Sequence, residues 1–79
     1  MKLTIISPEK IIFEGETTKV LVPGTKGPFE ILRGHAPLIS SLQKGVISFD
    51  NNGTQQIKVN SGFVEVANDC IVACIEKGI

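Results

Sequence analysis

Val22 to Leu38 reads VPGTKGPFEILRGHAPL, and its punctuation decides what fold the rest of the chain can adopt. Pro23-Gly24 predicts a chain reversal directly after Val20-Leu21-Val22, because proline presets φ at the second turn position and glycine tolerates the positive φ that a type II turn needs at the third. Gly27-Pro28 breaks the chain again, and Gly34-His35-Ala36-Pro37 closes the short apolar stretch Phe29-Glu30-Ile31-Leu32. One short strand is therefore expected between two loops built from glycine and proline. Such loops have little entropy left to lose on binding, so they suit a fixed contact surface.

Working outward toward the N-terminus, Lys19 to Val22 reads as a strand with Val20 and Val22 on one face. Ile11-Ile12-Phe13 reads as another, closed by Gly15. Leu3-Thr4-Ile5 alternates as a half-buried strand does, and Ser7-Pro8 ends it, since proline cannot donate to a ladder. On the other side, Leu38-Ile39-Ser40-Ser41-Leu42 fits either one helical turn, with Leu38 and Leu42 at i and i+4, or short strands around Ser40. Val46–Phe49 and Gln55–Val59 flank Asp50-Asn51-Asn52-Gly53, a strong hairpin signal. A two-residue Asn52-Gly53 turn would set Phe49 against the polar Gln56. Shifting the pairing by one sets Phe49 against Ile57 and Ile47 against Val59, so an odd-length loop is expected, with Gly53 as a left-handed bulge.

Beyond that hairpin the apolar parity changes from Ile57 and Val59 to Val64 and Val66. This predicts a bend or bulge at Gly62, where the strand passes from one sheet to the other. Cys70 to Ile75 is apolar on both faces and reads as a central strand, and Lys77-Gly78-Ile79 as a loose end. Short strands separated by turn residues predict an all-β fold. Residues 1–79 form one domain, a small antiparallel β-sandwich or flattened barrel of about eight to ten short strands.

Composition narrows the function. A chain of 79 residues buries only about 60% of its unfolded surface, so its stability is modest and a partner can supply part of what the core lacks. Eight Lys and Arg against eight Asp and Glu give no basic face by count, and four phenylalanines without Trp or Tyr make a poor stacking platform, which argues against nucleic acid. No run approaches the roughly 18 apolar residues that span a bilayer, and the first residues lack a signal-peptide layout, so a soluble, cytosolic-side protein without direct membrane insertion is expected. On a strand, Cys70 and Cys74 would share a face about 13 Å apart, beyond the roughly 7 Å reach of an intrachain disulfide. Without further ligands they make a poor zinc site, and reduced packing residues are expected.

Catalytic chemistry finds no foothold. GTKGP lacks the spacing of a phosphate loop and no long helix follows it. His35 is the sole histidine, and pairing it with a nucleophile would need Cys70 or Cys74 to point outward from a strand that reads as central. Glu9, Glu14, Glu16 and Glu65 are scattered among lysines, as on solvated faces. No enzyme activity and no cofactor are expected. Phe29 and Leu38, on or beside rigid loops, fit equally a plug at the end of the core and an anchor for a partner.

PGTKGPFEILRGHAPL resembles the loop-strand-loop signature of the epsilon subunit of F-type ATP synthases, called delta in mitochondria. LTIISPEKIIFEGE resembles that family's opening strands and VNSGFVEVANDCIVACIE its closing segment, so the resemblance runs from Lys2 to Glu76. Glu30 stands where the family usually has glycine, and Pro28 replaces what is commonly a polar or acidic residue.

The resemblance favours strands around Ser40. It implies a non-catalytic central-stalk rotor subunit of a proton- or sodium-translocating F-type ATP synthase, linking the gamma subunit to the c-ring and coupling ion flow to ATP synthesis. Contact with the alpha/beta catalytic head would be indirect, and the protein would sit peripherally on the cytoplasmic side of the bacterial inner membrane. By position, Thr25, Lys26, Gly27, Pro28 and Phe29 match the loop that meets the ring, while Ser7, His35, Ala36, Pro37 and Leu38 match positions near gamma. The chain stops where most bacterial relatives continue into a helical hairpin, so inhibition of hydrolysis through such helices is not expected. An alternative is a stand-alone β-sandwich that binds a peptide or small ligand through the Pro23 to Leu38 loops, which calls for a closed concave pocket. A cysteine-dependent enzyme would instead require an exposed thiol of lowered pKa.

Overall fold

The computed structural model describes residues 1–78. Eight strands follow one another: β1 (Lys2–Ile6), β2 (Ile11–Glu16), β3 (Lys19–Val22), β4 (Phe29–Leu32), β5 (Leu38–Leu42), β6 (Gly45–Asp50), β7 (Thr54–Ala67) and β8 (Cys70–Lys77). The strands at Lys19–Val22 and Phe29–Leu32 have the bounds read from the sequence, and Leu38–Leu42 is a single strand with no helical turn.

The fold hangs on β7, which is 14 residues long. Drawn straight at ~3.3 Å per residue it would reach about 43 Å. The longest dimension of the domain is 30 Å, so β7 bends. One edge of its full length is lined by β5 and then β6 in an unbroken register, from Leu38 opposite Val66 through Gly45 opposite Val59 to Asp50 opposite Thr54. β8 takes the other edge from Val59 to Ala67, with β1 and then β2 beyond it, while β3 and then β4 extend the sheet from β6. One continuous sheet thereby folds into two layers, β2-β1-β8-β7-β5 over β7-β6-β3-β4. β2 and β4 remain as edges, and the sheet does not close into a barrel.

Between the layers lie Leu3, Ile5, Val64, Ile71 and Ala73 from one side and Val20, Val22, Ile31, Ile47 and Phe49 from the other, all buried. The inward parity of β7 changes beside Asn60, where its register against β8 shifts between Val59 and Ser61. Gly62 follows at once, with φ of 155°. The bulge expected at Gly62 therefore lies two residues earlier, at Asn60, and Gly62 is instead the point where the β8 backbone comes closest.

Several expectations are corrected. The strands are not all antiparallel: β1 and β8 pair in parallel, Leu3 opposite Ile71. Both begin at the same end of the sheet, where the Lys2 amide donates to the Asp69 carbonyl at 3.0 Å. The reversal expected at Pro23-Gly24 lies two residues later, with Thr25-Lys26 at the corners and the Gly27 amide donating to the Gly24 carbonyl at 2.9 Å. Pro23 and Gly24 instead prolong β3 along β5, since the Gln43 amide donates to the Pro23 carbonyl and the Thr25 amide to the Ser41 carbonyl. The β6–β7 hairpin has the expected odd loop, Asn51-Asn52-Gly53, with φ of 104° at Gly53. Yet Ile47 faces Ile57 and Phe49 faces Gln55, two residues away from the predicted pairing. Phe49 needs no apolar partner on β7 because the Phe13 ring of β2 covers it, with centroids 4.5 Å apart.

β8 also differs from its reading. Ile71, Ala73 and Ile75 fill the core, whereas Cys70 is exposed and Cys74 half-buried on the outer face. β8 continues through Lys77, and the Gly78 amide donates to the Lys58 carbonyl at 2.9 Å, so Lys77-Gly78 is not a loose end. Ile79 lies outside the described residues.

Thr17 fastens the two layers at one end. Its hydroxyl, in a residue only 5% exposed, donates to the Lys19 carbonyl at 3.0 Å and accepts from the Asp50 amide at 3.2 Å. Thr17→Val keeps the shape and leaves that amide without its acceptor. The expected loss is about 1–3 kcal/mol, read as a lower urea midpoint with an unchanged slope.

Candidate partner-binding surface

The residues singled out in the sequence fall on three separate parts of the molecule. Thr25, Lys26 and Pro28 are exposed at the tip of the β3–β4 connection. That tip is pinned to β5: the Thr25 and Ser41 hydroxyl oxygens are 2.8 Å apart, and the Gln43 side-chain amide donates to the Gly24 carbonyl at 3.1 Å. Phe29 is half-buried and packs against the core, as does Leu38, so both plug the core's ends.

The β4–β5 connection lies at the other end of β4. Arg33, Gly34, Ala36 and Pro37 are exposed and His35 is half-buried. His35 Nδ1 lies 2.7 Å from the Ala36 carbonyl oxygen, a contact that requires the ring proton on Nδ1 because the carbonyl can only accept. Ser7 is remote from both. It caps a tight turn with Lys10, its amide donating to the Lys10 carbonyl at 2.9 Å. Three interstrand spacings of about 4.8 Å separate β1 from β5, so Ser7 and the His35–Leu38 segment occupy diagonally opposite corners of one sheet.

What lies between those corners is apolar. On the outer face of β2-β1-β8-β7-β5 the register aligns Ile11, Ile6, Cys74 and Phe63 across four strands, ending at Ser41 on β5. Ile11 is 60% exposed and Phe63 49%; Ile39, 73% exposed, and half-buried Val72 flank the row. Beside it an open groove of about 350 Å³ is lined by Ser7, Pro8, Phe63, Cys74 and Glu76 among others. A soluble domain rarely leaves such a row uncovered unless another surface packs on it. Among the described residues no group of three or more His, Cys, Asp or Glu gathers as a metal site, and no helix is long and apolar enough to cross a membrane.

The family described as ATP synthase, Delta/Epsilon chain, beta-sandwich domain matches residues 1–77. The chain belongs to this family. It is 36% identical over 77 residues to the ATP synthase epsilon chain of Chlorobium limicola, covering 95% of this chain and 88% of that one. With the epsilon chain of Leptospira interrogans serovar copenhageni it shares 37% over 79 residues, 99% of this chain and 62% of that one. With that of Parvibaculum lavamentivorans it shares 40% over 68 residues, spanning 52% of the relative's length. Two structures show the same fold. One is a chain of the Euglena gracilis mitochondrial ATP synthase, resolved as OSCP, F1 and c-ring, with a TM-score of 0.88 at 17% identity, covering 98% of this chain and 51% of that one. The other is a chain of the Tetrahymena thermophila mitochondrial ATP synthase central stalk and c-ring, with a TM-score of 0.80 at 12% identity, covering 96% and 63%.

In this delta/epsilon β-sandwich, the sequence reading did not single out Ile11, Ile39, Phe63, Val72 or Cys74 as surface residues. A signal was present. In Phe63-Val64-Glu65-Val66 the core takes the two valines, which forces Phe63 outward, and Ile39 faces away from Leu38 and Leu42 for the same reason.

Proposed function

We propose that this chain is a non-catalytic rotor subunit of the central stalk of an F-type ATP synthase, linking gamma to the c-ring and coupling ion flow to ATP synthesis. The observation that carries the reading is the apolar row Ile11, Ile6, Cys74 and Phe63 on the outer sheet face, set in a domain of the delta/epsilon family. Gamma packs on this face between Ser7 and the His35–Leu38 corner. The exposed tip Thr25-Lys26-Gly27-Pro28, stiffened by β5 and backed by Phe29, meets the ring. As part of a membrane-associated complex the chain sits on the cytoplasmic side of the bacterial inner membrane, touches the alpha/beta head through gamma, and contributes position and stiffness without chemistry. The close-packed sandwich between gamma and the ring transmits torque with little internal rearrangement.

Tagged chain, purified from its native membranes and analysed by mass spectrometry, should bring gamma, the c subunit and the catalytic subunits in fixed ratio. Recovery of the chain alone would overturn the reading. In the same preparation Cys74, which lies in the apolar row, should alkylate far more slowly than in the free chain. Equal rates in the two states would move gamma off this face. The alternative of a free-standing ligand module at the Pro23 to Leu38 loops draws little support, since the depression there, lined by Thr25, Lys26, Phe29 and Ile39 among others, is open and holds about 260 Å³, below the roughly 300 Å³ at which small-molecule sites begin.

A further inference from the structure

The β4–β5 connection has little to hold it. Its residues 33–37 are exposed apart from half-buried His35, so apolar burial contributes little to its conformation. Its own hydrogen bonds are local, from the His35 amide to the Leu32 carbonyl at 3.1 Å and between His35 Nδ1 and the Ala36 carbonyl at 2.7 Å. Among the described residues, one hydrogen bond ties it to another element: the Gly34 amide donates to Asp69 Oδ1 at 2.8 Å, across 35 residues of sequence. Asp69 lies in the β7–β8 turn, where Asn68 and Asp69 both have positive φ, 52° and 58°. The Asp69 carbonyl in turn accepts from the Lys2 amide at 3.0 Å. The carboxylate is therefore presented from a turn fixed by the first strand and by the hairpin, and it accepts a charge-assisted bond from the loop.

We infer that Asp69 is a positioning residue, whose carboxylate holds Gly34 and thereby sets the path of His35, Ala36 and Pro37 for contact with the partner on the adjoining sheet face. The inference rests on the rotor reading above. Without the Asp69 bond the loop samples several conformations and must be ordered when the partner docks, which weakens binding while the sandwich itself stays folded.

The test measures binding of the full chain to purified gamma by calorimetry, together with amide exchange at Gly34. Asp69→Gly tolerates the positive φ and keeps the backbone bond to Lys2 while removing the carboxylate. It should weaken binding by about tenfold or more, the size expected for a charge-assisted bond, and release the Gly34 amide to exchange. Asp69→Asn keeps an acceptor oxygen and tolerates the same backbone, so it should bind within about threefold of wild type. On a His35→Ala background Asp69→Gly should cost much less than on wild type, because the segment it positions has already lost its side chain. A purely structural role for Asp69 predicts the same loss on both backgrounds, and that result overturns the inference. So does wild-type binding by Asp69→Gly. If the wild-type chain itself fails to bind gamma, the rotor reading falls and takes this inference with it.

Discussion

Gly62→Ala lowers the thermal midpoint of the domain by roughly 15 °C or more, the largest effect expected of any single methyl group added to this chain. A Cβ built at Gly62 would stand 2.3 Å from the Cys74 carbonyl oxygen, 2.9 Å from Ile75 Cα and 3.2 Å from the Cys74 carbonyl carbon. All three atoms are backbone of β8, so no side chain can swing aside to make room. Relief requires β7 and β8 to separate where they pair Gly62 with Ile75, next to the register shift that turns β7 from one layer to the other. Ile75 itself and the pair Val64 and Ala73, two positions along the ladder, are buried, so a separation here opens the core between the layers. Overpacking against a rigid backbone costs about 3 kcal/mol or more. A domain of this size holds only about 4–12 kcal/mol in all, and each kcal/mol shifts the midpoint by roughly 4–8 °C. Gly53→Ala is the control, since nothing lies within 4 Å of its Cβ and its φ of 104° alone sets the penalty. Circular dichroism melts of the two variants separate steric exclusion from backbone strain. Equal midpoints would mean that the β7–β8 contact at Gly62 is looser than its geometry requires.

The difference between what the sequence disclosed and what it withheld follows the range of each interaction. β4 was legible to the residue, because Gly27, Pro28, Gly34 and Pro37 punctuate the chain within a few positions of its ends. The odd loop at Asn51 to Gly53 was legible for the same reason. Its register was not, because the cover for Phe49 comes from Phe13, which reaches it from β2, a strand that does not pair with β6. Nor could local pattern place the turn at Thr25-Lys26: the backbone groups of Pro23 and Thr25 find partners on Gln43 and Ser41, and that pairing draws the strand past the proline. The parallel β1–β8 pairing likewise joins residues from the two ends of the chain. For the contact surface, the family signature led to the loops and to the corners at Ser7 and His35. The apolar row between the corners exists only when β2, β1, β8 and β7 are laid side by side, so no contiguous stretch of sequence contains it.

That row makes a second large effect. Phe63→Ala should weaken binding to gamma by about 30-fold or more, corresponding to about 2 kcal/mol, while leaving the thermal midpoint within a few degrees of wild type. Phe63 lies one strand in from β5 on the five-stranded face, with Cys74 opposite it on β8 and Ser41 opposite it on β5. Its ring is 49% exposed, so its truncation opens no buried cavity in the free domain. An aromatic side chain that is half-covered before docking and fully covered after it is the type of residue that dominates an interface, because it adds large apolar area at the cost of few rotatable bonds. Glu14, exposed on the edge strand β2 of the same face opposite Thr4, is the matched comparison. A solvated carboxylate at a rim contributes little, and Glu14→Ala should change binding by less than about threefold. Titration calorimetry against gamma reads both variants, and melting curves report on the fold. Strong loss at Phe63 with an unaltered midpoint assigns the apolar row to gamma. Wild-type binding by Phe63→Ala removes gamma from this face and leaves the corners at Ser7 and His35 as two unconnected contacts, too far apart to form one interface without the sheet between them.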